Sequence, residues 1–327
     1  MKSSFWQTIE IPIKGNYLIN DIKNVDDTII IAGSINDNNG YINLEKSKAY
    51  IEISKDRGKS WFEFKKFSCN VIIELFYKDG IVLMKGLRYI SGNSLIEFYR
   101  YNVSNGTLQE IKLPGSKEAH SLQIINNHTY IFNVTNNQFG NSYLKTEDGG
   151  ITWSDHLILL DSTHYVFDEK CINQSIMWGI KTQLPNDHSI TSINTLTWKH
   201  GEDILLKKQD DPVTIKTFDQ QIYLLVQCGS VGYLKILNEL KNNFTTVDSF
   251  YLNNKELAND FYISKDYLIV NTIGTQNSLP NMRVLYKKNE KEWNDAPMPE
   301  LAISNTNFNN NLLMGVAMHN IIYYRQF

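Results

Sequence analysis

β-Branched and aromatic residues alternate with polar ones in short runs along most of this chain, and clusters of Asn, Asp, Gly and Ser break the runs. Alternation of this kind places successive side chains on opposite faces of a strand, and helix-period stretches are almost absent, so the pattern predicts an all-β protein. In A49-Y-I-E-I-S54 it sets Ala49, Ile51 and Ile53 against Tyr50 and Glu52, and predicts one buried face per strand.

A longer period overlies the alternation. A moderately apolar strand, an Asn/Asp/Lys-rich turn and a strongly apolar strand recur from N24-V-D-D-T-I-I-I-A to F308-N-N-N-L-L-M-G-V. With Ile30, Val82, Ile131, Met177, Leu224, Ile269 and Leu313 as centres, the steps are 52, 49, 46, 47, 45 and 44 residues. A step of about 40–50 residues is the size of a four-stranded propeller blade. Residues 1–327 are therefore expected to form a single β-propeller domain with seven blades, six being the alternative. The final unit has room for inner strands but no outer one, while F5-W-Q-T-I-E-I resembles outer strands elsewhere, so the N-terminal strand is expected to complete the last blade.

The segment S54-K-D-R-G-K-S-W61 interrupts a strand-like run, and T146-E-D-G-G-I-T-W153 repeats it two periods later. Ser54, Asp56 and Gly58, like Thr146, Asp148 and Gly150, are the residue types of a tight turn. Short side-chain oxygens accept backbone N–H groups, and glycine takes a positive φ. Trp61 and Trp153 begin the following strands and supply large rings to bury. N102-V-S-N-G-T-L-Q109 and Y286-K-K-N-E-K-E-W293 are worn copies. Both good copies resemble the Asp-box, or BNR repeat, of sialidase-like propellers. The resemblance implies that the box joins the third and fourth strands of a blade and is structural, with no metal or catalytic role for Asp56 and Asp148.

That resemblance raises sialidase activity, which requires an arginine clamp for a carboxylate. The chain has five arginines, Arg57, Arg88, Arg100, Arg283 and Arg325, and no Arg-Ile-Pro segment. Arg57 sits in a box, and only Arg88 and Arg283 are placed to reach a common mouth, so the triad is missing. Other glycosidases need two carboxylates about 5–9.5 Å apart; Asp210, Asp211, Glu256, Asp260 and Glu300 fall near blade junctions and read as solvated loop charges. The seven histidines show no metal-ligand spacing, and neither a metal nor a cofactor is expected.

Composition narrows the partners. With 32 basic and 35 acidic residues the formal charge is −3, which argues against nucleic acid. Cys69, Cys171 and Cys228 have no paired spacing and read as reduced, buried thiols. No apolar run reaches membrane-spanning length and no secretion signal is evident, so a cytoplasmic protein is expected; few Arg beside many Lys, Asn and Ile point to an AT-rich, bacterial source.

In a four-stranded meander the box turns share one end with the first–second turns, and the longer loops lie at the other, where binding is expected. The candidates there are Tyr41, Arg88, Tyr89, His120, Phe139, His164, Asp187, His188 and Tyr233. Together these features predict a non-catalytic binding propeller, monomeric apart from a protein partner, such as an inhibitor or immunity protein of a bacterial toxin or an assembly factor. The alternative is a glycan-binding protein or a glycoside hydrolase of the sialidase-like class.

Overall fold

The computed structural model describes residues 7–11, 16–36, 45–64, 67–116, 119–134, 141–158, 164–183, 187–238, 242–276, 279–288, 292–297, 305–309, 312–317 and 321–326. Apart from a 3-10 turn at Pro114–Ser116, the regular structure among them is antiparallel sheet. The chain divides into two compact units, one of residues 1–112 with 296–327 and one of residues 113–295.

The first unit holds three sheets. Sheet I runs through β2 (Asn16–Val25), β3 (Thr28–Asn36), β4 (Lys48–Ser54) and β5 (Phe62–Phe64). Sheet II runs through β6 (Val71–Lys78), β7 (Ile81–Ile90), β8 (Asn93–Asn102) and β9 (Thr107–Ile111). Sheet VII consists of β27 (Asn305–Asn309), β28 (Leu312–Ala317) and β29 (Ile321–Gln326), and its fourth strand is β1 (Gln7–Glu10) from the N-terminus. Thr8 pairs with Tyr323 and Ile9 with Ile322, so the N-terminal strand completes this sheet as its sequence predicts.

The second unit holds four. Sheet III is β10 (Ala119–Ile124), β11 (Tyr130–Val134), β12 (Asn141–Thr146) and β13 (Ser154–Ile158). Sheet IV is β14 (His164–Cys171), β15 (Ile176–Gln183) and β16 (Asp187–Asn194), with the fourth position split between β17 (Lys199–His200) and β18 (Ile204–Leu205). Sheet V is β19 (Asp211–Phe218), β20 (Gln221–Cys228), β21 (Val231–Asn238) and β22 (Asn243–Tyr251). Sheet VI is β23 (Leu257–Ile263), β24 (Tyr267–Gln276), β25 (Leu279–Lys288) and β26 (Asn294–Pro297), the last at the boundary of the unit. Each of the seven apolar centres marks the second strand of a different sheet.

Packing corrects one expectation. In β4 both faces are buried, because Ala49, Ile51 and Ile53 pack against Ile72, Leu75, Val82 and Met84 of sheet II, while Tyr50 joins Ile29, Ile31, Ile11 and Met314 on the other side. An interior sheet of a stack is covered twice, and its polar positions shrink to a few, such as Glu52. The thiols differ too: Cys69 is buried, but Cys171 and Cys228 are half-buried.

Candidate functional site

The octapeptides are turns between third and fourth strands, as the resemblance implies. Ser54 Oγ accepts Gly58 N–H at 2.7 Å, and Asp56 Oδ1 accepts Ser60 N–H at 2.8 Å while Oδ2 accepts Ser60 Oγ–H at 2.6 Å. Thr146, Asp148 and Thr152 repeat the arrangement. Hydrogen bonds from the Ser60 side chain and amide, and from Ser54, hold the Asp56 carboxyl at about 2, and those from Thr152 depress Asp148 further. Gly58 and Gly150 have φ of 87° and 97°. Both acids spend their oxygens on their own turns.

The tryptophans after these turns reach the preceding sheet. Trp61 packs on the cluster that includes Met314 of sheet VII, and Trp293 stands 5.4 Å from Phe250 of sheet V and donates to Asp248 at 3.2 Å. In sheet IV, Trp198 stacks on His156 at 4.2 Å and Tyr143 at 5.6 Å, both of sheet III. The Trp198 turn has no glycine in its box position and escapes the sequence motif; Asn194 replaces the acid, accepting Leu196 N–H and Thr197 N–H. Trp153 instead meets Phe132 of its own sheet.

A row of polar groups on the first strands was not legible from motifs. The first strand of each of sheets I to VI has a register shift, and first strands of consecutive sheets run beside one another within each unit. At the shift in β2, Asp21 accepts Ile22 N–H and Leu75 N–H of sheet II, both at 2.7 Å, and pairs with Lys23. In β14, Asp168 accepts Ile215 N–H and Thr214 Oγ–H of sheet V at 2.7 Å and pairs with Lys170 at 2.6 Å. In β23, Asp260 pairs with Lys216 of sheet V at 2.7 Å, and that ammonium lies 4.1 Å from the Tyr262 ring. Burial works against the Lys170 charge, but Asp168, with Asp260 beyond it, outweighs burial and raises its pKa. At Lys216 burial prevails and lowers the pKa despite Asp260. The shared spacing D21-I-K23 and D168-E-K170 was the available signal.

The candidate glycosidase acids are engaged, which corrects their reading as solvated loop charges. Asp210 is buried against Lys235, and Asp260 is paired as above. Glu256 is buried in a two-point clasp by Arg283, with Nε at 2.8 Å from Oε1 and Nη2 on Oε2, and Thr272 donates to it as well. Burial opposes the Glu256 charge, yet Arg283 and Thr272 bring its carboxyl below the ordinary value. Arg283 also meets Asp295 at 3.2 Å and the Tyr251 carbonyl at 3.4 Å, so its guanidinium is spent on sheets V and VI. Asp211 alone is largely exposed, 4.0 Å from His188 Nε2. Glu300 lies outside the described residues.

The predicted binding residues fall at the second–third turn end of their sheets, but most belong to strands. Hydrogen-bonded ladders continue through the polar stretches read as loops. Arg88 and Tyr89 are in β7, Asp187 and His188 in β16, Tyr233 in β21, and His120 and His164 in β10 and β14. His120 occupies the register shift of β10. Tyr41 and Phe139 lie outside the described residues.

In sheet II the β7–β8 hairpin closes at Ser91 and Gly92, with φ of 49° and 83°. Arg88 opposes Leu95 and Ile90 opposes Asn93, which puts Arg88, Ile90 and Leu95 on one face; they are 44%, 43% and 48% exposed. Arg88 reaches Glu97 at 3.4 Å. On the other face Tyr89 N–H donates to Asn70 Oδ1 at 2.7 Å, and Asn70 Nδ2 donates to the Glu45 and Ser47 carbonyls at 3.0 Å, fixing the hairpin to sheet I. Behind it Glu97, Tyr99 and Ser68 form a hydrogen-bonded cluster, and burial pushes the adjacent Cys69 thiol up to about 12, far from a thiolate nucleophile. In the second unit His188 Nδ1 bonds Thr182 Oγ1 at 2.9 Å, and Tyr233 packs into the Ile190–Leu224 core.

The chain matches no protein-family model and no curated protein sequence. Solved structures do match it over its length. YCF48 from Cyanidioschyzon merolae superposes with a TM-score of 0.64 at 10% identity, covering 98% of each chain. YCF48 bound to D1 peptide gives 0.62 at 11% identity, covering 100% of this chain and 96% of that one. BamB from Moraxella catarrhalis gives 0.54 at 11% identity, covering 98% of each. The fold is a β-propeller. At these identities the likeness concerns the propeller fold alone, and function rests on the residues of this chain.

Proposed function

We propose that this propeller is a non-catalytic module that binds a protein partner at the sheet ends opposite the octapeptide turns. The observation that carries the reading is the β7–β8 hairpin. Arg88, Ile90 and Leu95 combine a guanidinium with exposed aliphatic surface on a backbone held from behind by Asn70. A pre-fixed apolar patch with an arginine at its edge suits a protein surface, since little ordering entropy remains to be lost on binding. YCF48, a propeller neighbour, has a structure with a D1 peptide bound, which supports a peptide or protein as the class of partner.

Carboxylate chemistry weighs on the same side. Asp210, Glu256 and Asp260 each face a cation, and general acid–base work needs a carboxylate free to exchange its proton. The turn hydrogen bonds support reading both octapeptides as Asp-boxes of the BNR type. Within this reading the setting is bacterial and cytoplasmic, and an assembly factor or a toxin-neutralising inhibitor is the role that a propeller without a working site fills. Two measurements test it together. Affinity capture should recover one stoichiometric partner, and a panel of fluorogenic glycosides should show no turnover; turnover lost on neutralising Asp210, Asp211, Glu256 or Asp260 would replace this proposal with a hydrolase.

A further inference from the structure

We propose that Glu169 is a neutral carboxyl acting as a proton-held latch between sheets III and IV, closed while its Oε2 keeps a proton and loosened when the proton leaves. The register shift in β14 turns Glu169 out of the ladder, and its side chain is buried at 1% exposure against sheet III. The stem lies over Gly179 of β15, where an added Cβ would meet Glu169 Cγ at 3.1 Å and Val166 Cγ1 at 2.4 Å.

The hydrogen bonds leave the proton one place, on Oε2. Val166 N–H donates to Asn141 Oδ1 at 3.3 Å, which sets the orientation of that amide. Asn141 Nδ2 then donates to the Tyr143 hydroxyl oxygen at 3.2 Å, so the Tyr143 proton goes to Glu169 Oε1 at 3.3 Å. Asn133 Nδ2 donates to the same Oε1. That oxygen thus meets two donors, as a carbonyl oxygen does. Oε2 meets Ser121 Oγ at 2.7 Å, and a hydroxyl accepts as readily as it donates. With a proton on Oε2 the bond to Ser121 reverses, Oε2–H donating to Ser121 Oγ, and the neutral carboxyl holds β10, β11 and β12 at once.

The surrounding charges fit this assignment. Among the described residues no Lys, Arg or His contacts the Glu169 carboxyl. Lys170 follows it in β14, but its ammonium is taken by Asp168 at 2.6 Å. Tyr143 faces it from β12; Cys171, the next titratable group of β14, donates its amide N–H to Gln123 Oε1 of β10. A buried carboxylate without a cation is strongly disfavoured and takes up a proton instead. Burial accordingly pushes the Glu169 carboxyl above its ordinary value, against the pull of Ser121, its own amide, Asn133 and Lys170. The folded chain then binds more protons than the unfolded one. Stability is full below the unfolded carboxyl range and falls as pH rises from there to the folded pKa.

The test is infrared difference spectroscopy of the intact protein against Glu169→Gln at neutral pH, with hydrogen exchange of the β10–β12 amides followed from pH 6 to 9. The wild type should show a protonated-carboxyl C=O band that the variant lacks. After correction for intrinsic rates, β10–β12 exchange should speed up as pH rises, up to about tenfold per pH unit crossed below the folded pKa, while sheet V amides and Glu169→Gln stay flat. Ser121→Ala provides a second reading, because removing the acceptor should move the band. A neutral-pH spectrum without that band, a band that ignores Ser121→Ala, or a Glu169→Gln protein that keeps the wild-type pH dependence would overturn the proposal.

Discussion

Asp168 of β14 accepts the Ile215 N–H of β19 at 2.7 Å, and Asp21 of β2 accepts the Leu75 N–H of β6 at the same distance. In both cases a carboxylate at a register shift holds the backbone of the next sheet's first strand, and a lysine two residues on balances its charge. Hydrogen bonds to a charged group contribute on the order of 1.5–3 kcal/mol each. Asp168→Ala and Asp21→Ala should each reduce the unfolding free energy by that order, seen as a lower urea midpoint with the slope unchanged. A loss near zero in both would mean that the row is not a structural fastener.

Trp198 ties sheet IV to sheet III through His156 and Tyr143, although its turn has lost the box glycine. Truncating large buried rings costs about 3–5 kcal/mol, and Trp198 is half-buried, so Trp198→Ala should fall at the lower end of that range. Trp198→Phe should recover part of it. Thermal unfolding of the two variants side by side checks both statements.

The box acids predict behaviour at low pH. Asp56 is held at about 2 and Asp148 lower, both beneath the ordinary carboxylate value. A depressed folded pKa contributes stability that is present above the unfolded value near 3.8 and is lost as pH falls through the folded one. Amide protection of Ser60 and Thr152 should therefore persist at pH 4 and fade below about pH 2 for Ser60, and at still lower pH for Thr152. Asp56→Asn, which cannot titrate, should abolish the Ser60 transition and leave that of Thr152 in place.

Much of this was legible in the chain. The recurring step of 44–52 residues located the second strands because those whose burial is described, β3, β7, β11, β15, β20 and β24, are buried on both faces and carry the most uniform apolar runs. The box turns were legible because their conformation demands Gly58 and Gly150. The Trp198 turn was hidden, since Asn194 performs the same hydrogen bonding without the motif. The extent of the strands was hidden too: R88-Y-I-S-G-N93 reads as a loop by composition, yet the ladder continues to Ile90 and turns only at Ser91 and Gly92. The ion pairs of Glu256 with Arg283 and Asp210 with Lys235 join residues about 25 positions apart, and single-sequence patterns do not report such pairings.

Binding through the hairpin end of sheet II is the central claim. The most direct test compares affinity capture by the wild-type protein with capture by a variant carrying Arg88→Glu, Ile90→Asp and Leu95→Asp, at low salt and from the native lysate. All three side chains are exposed, so the variant should stay folded, with its unfolding temperature lowered only by the charge it sets beside Glu97. The account predicts one stoichiometric partner for the wild type and its loss from the variant. No partner for either protein, or the same partner retained by the variant, would contradict it.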